Sequence, residues 1–154
     1  MRLQKIMNKS CSKIIKDINP DFKPTVSIIL GSGLGQFTEQ IKNKNEILYK
    51  DLPGFPETSV KGHSGKLVFG SIGETQALVF QGRSHYYEKG DCNSMRGPIE
   101  TIKSLGCNSL IITNSSGGIN SEYEPGDVIL IHDHINLTGL SPLIGQSGSS
   151  KFID

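Results

Sequence analysis

No apolar stretch of membrane-spanning length occurs in the 154 residues, and no secretory hydrophobic segment follows the start. Neither a spanning helix nor an exported precursor is therefore expected. Cysteine is scarce. Cys11, Cys92 and Cys107 are odd in number and lack C-x-x-C spacing, which argues against a disulfide framework and against a zinc site. A reducing cytoplasm suits that usage. Charge of one sign is also missing: 16 Lys and Arg against 15 Asp and Glu leave a formal net charge of +1. Such a surface excludes nucleic-acid binding by bulk electrostatics, so any anion site must be local. No internal repeat is visible.

What the chain does have is glycine, 18 of them, and enough apolar content for one core. Residues 1–20 form a basic lead-in, with Leu3, Ile6, Met7, Ile14, Ile15 and Ile18 at helical spacing. A transit peptide could look similar, but an amphipathic helix packed on the domain is the preferred reading. The pattern then predicts a strand near 25–30, a short helix near 34–42, a polar break at 42–45 and a strand near 46–50. Prolines make 52–56 a loop. Strands near 66–72 and 75–81 join at Gly73, and a helix near 92–105 has an expected bend at Gly97-Pro98. Strands near 109–113 and 128–132 flank the turn Glu124-Pro125-Gly126-Asp127. Strands and helices interleave, so the expected fold is an α/β sheet flanked by helices.

Three glycine-punctuated signals for anion binding stand out. Gly31-Ser32-Gly33-Leu34-Gly35 follows an apolar strand, and Asn114-Ser115-Ser116-Gly117-Gly118 follows another. Backbone amides at such strand-to-turn junctions can point at an oxyanion. Between them, Gly82-Arg83-Ser84-His85-Tyr86-Tyr87-Glu88 places an arginine, a histidine, phenols and a carboxylate in one short run. That cluster reads as a phosphate and sugar site in preference to a salt-bridged turn. The glycine loop lacks the G-x-G-x-x-G spacing of a dinucleotide fingerprint. His63, in Gly62-His63-Ser64-Gly65, would alone be an ordinary loop histidine. The pair His132 and His134 could share one face of a strand, but with no third ligand suggested, no metal is expected.

Taken in order, GSGLG, GHSGKL, GRSHYYE, TNSSGG, PGD and DHINLTG closely resemble the purine nucleoside phosphorylases of the trimeric, low-molecular-mass type, over residues 25–145. The resemblance implies a mixed sheet flanked by helices, with the chain as the N-terminal portion of a single domain over 1–154, truncated at the C-terminus. It implies phosphate binding by Ser32, His63, Arg83, His85 and Ser115, with His85 and Glu88 as the catalytic pair and Tyr87 on the ribose. Gly31, Gly33, Asn114 and Gly117 would support the cradle. Purine-binding residues would lie beyond residue 154. Implied partners are phosphate, as co-substrate with no other cofactor, a purine nucleoside, and two further copies in a homotrimer. Neither nucleic acid nor membrane is implied.

The chemistry agrees with that assignment. Phosphorolysis needs a phosphate oriented against the anomeric carbon while the bond to the base breaks through an oxocarbenium-like state. A fixed dianion beside that cation both attacks and stabilises it. Arginine offers a planar fork that lysine does not reproduce, and a carboxylate such as Glu88 would fix the tautomer of His85. A loop bearing His63 would serve as a lid. Many relatives carry an aromatic residue at Ser84 and alanines at Ser115-Ser116. Alternatives are a methylthioadenosine phosphorylase-like enzyme, a non-catalytic remnant, or an anion-binding module without catalysis.

Overall fold

The computed structural model describes residues 10–56 and 65–148. The chain divides into two compact units, Met1–Ser115 and Ser116–Asp154. Within the first, helix α1 covers Cys11–Ile18 and strand β1 covers Val26–Leu30, followed by a 3-10 turn at Gly35–Gln40. Strands β2 (Lys42–Leu48), β3 (Lys66–Ile72) and β4 (Thr75–Gln81) come next, then a one-turn helix α2 (Tyr86–Lys89), helix α3 (Arg96–Leu105) and strand β5 (Ser109–Ile112).

These strands make one five-stranded sheet in the order β2-β3-β4-β1-β5. β1 runs parallel to both β4 and β5, whereas β2, β3 and β4 pair antiparallel through hairpin-type neighbours. The sheet is therefore mixed, as expected. Side-chain alternation splits the core across its two faces. Ile29, Leu67, Phe69, Leu78 and Phe80 point to one side, where Ile15 of α1, Phe22 and Ile102 of α3 cover them. Ile28, Leu30, Val68, Ala77 and Val79 point to the other, against Ile41 and Phe37. Parallel strands buried on both faces read as continuous apolar runs, which is why Ser27-Ile28-Ile29-Leu30 and Ala77-Leu78-Val79-Phe80 were legible.

Several expectations are corrected. The polar run 42–45 is not a break but the first half of β2, an outer strand with solvent-facing side chains. Its register shifts between Lys42 and Asn45, and Asn43 takes φ +50. That bulge brings the Lys42 carbonyl against Gly70, where a Cβ would sit 2.5 Å from it. The segment expected as a helix near 34–42 is only a 3-10 turn. Helix α3 starts at Arg96, after tight turns over Asp91–Met95, rather than at 92. Pro98 then falls in the first helical turn, where backbone amides have no intrahelical acceptor, so it bends nothing. Gly97 lies against the Gly54 backbone so closely that a Cβ would come 2.1 Å from the Gly54 carbonyl oxygen.

In the second unit the turn Glu124–Asp127 forms, closed by Asp127 N–H to the Glu124 carbonyl (3.1 Å) and the Glu124 N–H to Asp127 Oδ2 (2.9 Å). The strand expected near 128–132 does not. Val128 and Leu130 are 97 % and 93 % exposed, and a strand-like run with no neighbour to pair with has nothing to repay the entropy of ordering. In the first unit, Leu110, Ile111 and Ile112 of β5 are likewise exposed. An apolar parallel strand at a sheet edge invites association. The chain is expected to bind an apolar-surface dye and to self-associate at micromolar concentration. Ile112→Lys, at a side chain already 61 % exposed, should reduce both while shifting stability by no more than about 0.5 kcal/mol. Sedimentation and dye titration measure this; a monomeric wild-type chain that binds no dye contradicts it.

Candidate anion-binding site

The parallel pairing of β4, β1 and β5 as adjacent strands brings their C-terminal ends to one edge of the sheet. Loops leaving that edge are where open α/β sheets bind ligands. Three chain segments emerge there: 31–35 after β1, 82–88 after β4, and 113–115 after β5. The first two motifs and the start of the third, Asn114-Ser115, thus meet through topology, although about 50 positions separate the first from the second.

Contacts at the edge tie them together. The Gly31 N–H donates to Thr113 Oγ1 (2.8 Å), and Thr113 Oγ1 donates in turn to the Ile29 carbonyl (3.2 Å). Arg83 Nη1 donates to the Thr113 carbonyl at 2.5 Å. That bond orients the guanidinium. Ser115 Oγ donates to the Ser32 carbonyl (3.3 Å), bringing the first and third turns side by side. Gly31 is required as glycine, since a Cβ there would lie 2.6 Å from the Thr113 carbonyl oxygen. Gly33 is required for another reason, its φ of +85. Among the described residues the amides of Ser32, Gly33 and Ser115 donate to no protein acceptor. These are the donors an anion would need. Asn114 Nδ2 reaches its neighbour's carbonyl, that of Ser115, at 3.4 Å.

Past Arg83, Glu88 caps the short helix α2: its Oε1 accepts the His85 backbone N–H at 2.6 Å, and the Glu88 N–H donates to the His85 carbonyl at 3.1 Å. The contact is with the main chain of His85, so the carboxylate fixes where that residue starts its turn. The imidazole of His85 stacks on the Tyr87 ring, centroids 4.9 Å apart and planes within 13°. Tyr87 is 75 % exposed, an accessible aromatic ring. Ser84, by contrast, is buried, with its hydroxyl unpartnered among the described residues.

Two contributors escaped the sequence reading. Tyr49, buried between β2 and the 52–56 loop, donates its hydroxyl to the Gly82 carbonyl at 2.7 Å. Its ring meets Phe55 edge-on at 5.1 Å, and Phe55 stacks on Phe80. Burial pushes the Tyr49 phenol above its ordinary pKa. Thr113 is the other; the only signal for it was a hydroxyl closing an apolar strand ahead of a glycine-rich turn. His63 lies outside the described residues. Gly117 belongs to the second unit, and a Cβ there would meet nothing within 4 Å. His132 and His134 sit on irregular backbone there, and no group of three or more metal-ligating side chains comes together among the described residues. A surface hollow of about 410 Å³ beside the glycine loop, lined by Gly33, Leu34, Gln36, Phe37, Glu39 and Gln40, holds none of the other anion donors.

Comparison with known proteins bears on this geometry. Residues 25–154 match the Phosphorylase superfamily. Purine nucleoside phosphorylase 1 of Geobacillus stearothermophilus is 44% identical over 127 residues, which cover 82% of this chain and 46% of the relative. The purine nucleoside phosphorylase of Mus musculus is 40% identical over 130 residues, 82% of this chain and 45% of that one. Among solved structures, isoform 2 of purine nucleoside phosphorylase from Schistosoma mansoni, in complex with cytosine and ribose-1-phosphate, superposes with a TM-score of 0.68. It shares 42% identity and covers 77% of this chain and 41% of its own. The chain thus spans a little under half the length of these relatives.

Tyr49→Phe keeps the ring packing and removes the hydroxyl that donates to the Gly82 carbonyl, at the start of the Arg83 segment. A loss of about 1–2 kcal/mol in denaturant unfolding is expected. Because the folded-state pKa of Tyr49 is raised, its contribution is full below the unfolded value near 10 and is lost as pH climbs beyond it. Wild-type stability should therefore fall above about pH 10, by up to roughly 1.4 kcal/mol per pH unit. The phenylalanine variant should show a shallower alkaline slope, and equal slopes would contradict the assignment.

Proposed function

The chain belongs to the phosphorylase superfamily, and from that premise we propose that it forms the phosphate and ribose side of a purine nucleoside phosphorylase. The reaction is cleavage of purine ribo- or deoxyribonucleosides by phosphate, giving free base and ribose or deoxyribose 1-phosphate. The observation that supports this best is the set of amides on Ser32, Gly33 and Ser115, which donate to no protein group among the described residues and lie at the edge where Arg83 is anchored. Three undirected amide donors plus a guanidinium suit a tetrahedral dianion.

In this reading Ser32, Gly33 and Ser115 donate through backbone to the phosphate oxygens, and Arg83 supplies the charged fork. His85 donates a further hydrogen bond, its backbone held by Glu88 and its ring steadied by Tyr87. One phosphate oxygen attacks the anomeric carbon as the carbon–nitrogen bond to the purine breaks. The bonding pair leaves with the base, which takes up a proton. The phosphate charge stabilises the positive sugar ring between those events. Tyr87 offers its exposed face to the ribose, and His63 is assigned to the phosphate on resemblance. Phosphate is the co-substrate and no cofactor is required. Purine recognition is assigned to sequence beyond residue 154, a cytoplasmic location fits a chain whose three cysteines show no disulfide spacing, and a homotrimer follows from the family resemblance.

Two outcomes are expected. Arg83→Ala should weaken inorganic phosphate binding about tenfold to a hundredfold, since each charge-assisted hydrogen bond is worth about 1.5–3 kcal/mol. Arg83→Lys should recover only part of it. Phosphorus NMR titration beside a melting curve measures this; a variant that melts early yet binds phosphate normally would make Arg83 purely structural. Separately, the 154-residue chain by itself should release no hypoxanthine from inosine in excess phosphate. Joining it to the C-terminal half of a relative should produce turnover. Robust turnover by the chain alone would overturn the assignment of the base side to sequence beyond it.

A further inference from the structure

Thr113 occupies the first position after β5 and is linked to every segment of the site. Its N–H extends the β1 ladder to the Ile29 carbonyl at 3.0 Å. Its hydroxyl donates to that same carbonyl (3.2 Å) and accepts the Gly31 N–H (2.8 Å). Its carbonyl accepts Arg83 Nη1, and the next two residues are Asn114 and Ser115. A hydroxyl has one donor and two acceptor lone pairs, so Thr113 Oγ1 can serve both contacts at once.

We propose that Thr113 is a positioning residue that assembles the phosphate cradle, its hydroxyl fixing the glycine loop and its carbonyl fixing Arg83. This rests on the reading of the site as a phosphate site. The consequence is specific. By accepting the Gly31 N–H, the hydroxyl takes the first amide of the loop into the fold and sets the direction in which Ser32 and Gly33 follow. The close approach of Gly31 to the Thr113 backbone, which forbids a Cβ, shows that the same contact fixes the separation of the two turns. Without the hydroxyl the Gly31 amide has no acceptor among the described residues, and the loop gains freedom where phosphate needs it fixed.

Thr113→Val preserves the branched shape and the main-chain carbonyl but removes the hydroxyl, whereas Thr113→Ser retains it. With the 154-residue chain, inorganic phosphate affinity is measured by phosphorus NMR titration well below the melting range, and exchange of the Gly31 amide by proton NMR. Thr113→Val should weaken phosphate binding about three- to tenfold, the range of one neutral hydrogen bond, and should speed Gly31 exchange. Thr113→Ser should stay within about twofold in both. If valine does not fold, Thr113→Ala must show the same loss. Unchanged phosphate affinity in a folded valine or alanine variant overturns the proposal while leaving the phosphate site standing. Serine losing as much as valine overturns the role of the hydroxyl. A wild-type chain that binds no phosphate overturns the functional reading itself, and the proposal with it.

Discussion

Parallel pairing of β1 with both of its neighbours is the constraint on which the site depends. Had β4 or β5 run the other way, its following loop would leave from the opposite edge, and Arg83 or Ser115 would be a strand length from Ser32. Register matters as much as direction. Leu30 stands beside Gln81, and Ile29 beside Ile112, so all three strands end within a residue or so of one another. That common finish line lets a single side chain, Thr113, reach both the glycine loop and the arginine.

The core supports this arrangement asymmetrically. β4 is covered on both faces, with Leu78 and Phe80 on one side and Ala77 and Val79 on the other, and the Phe80–Phe55–Tyr49 ring series transmits that packing to the Gly82 carbonyl. Arg83 therefore extends from a firmly held strand. β5 carries the third turn but exposes its apolar side chains. In a parallel sheet such a strand is ordinarily covered.

Much of this was legible in the sequence because its physical signal is local. Apolar runs marked β1, β3, β4 and β5, a glycine marked the β3–β4 turn, and the three anion-binding motifs announced themselves by residue type. Edge strand β2 was half hidden, since solvent-facing positions on an outer strand obey no apolar period and a bulge shifts what period there is. The 128–132 run misled in the opposite sense: its pattern is that of a strand, but a strand exists only with a neighbour to bond. Helix α2 is too short to carry a periodicity, and the carboxylate that caps it, Glu88, is as much a chemical signal as a structural one.

By itself the sequence determined the elements and the chemical inventory: which residues could hold an anion, and that each stood beside a turn whose backbone could help. Tertiary structure alone decided which of those groups meet. Strand order brings residues 31, 83 and 115 to one edge, a relation no local pattern encodes because it arises from hydrogen bonds between strands distant in the chain. It also decided that Tyr49 and Thr113 matter. Neither carries a motif; each acts by accepting or donating a hydrogen bond to backbone that packing has brought within about 3 Å.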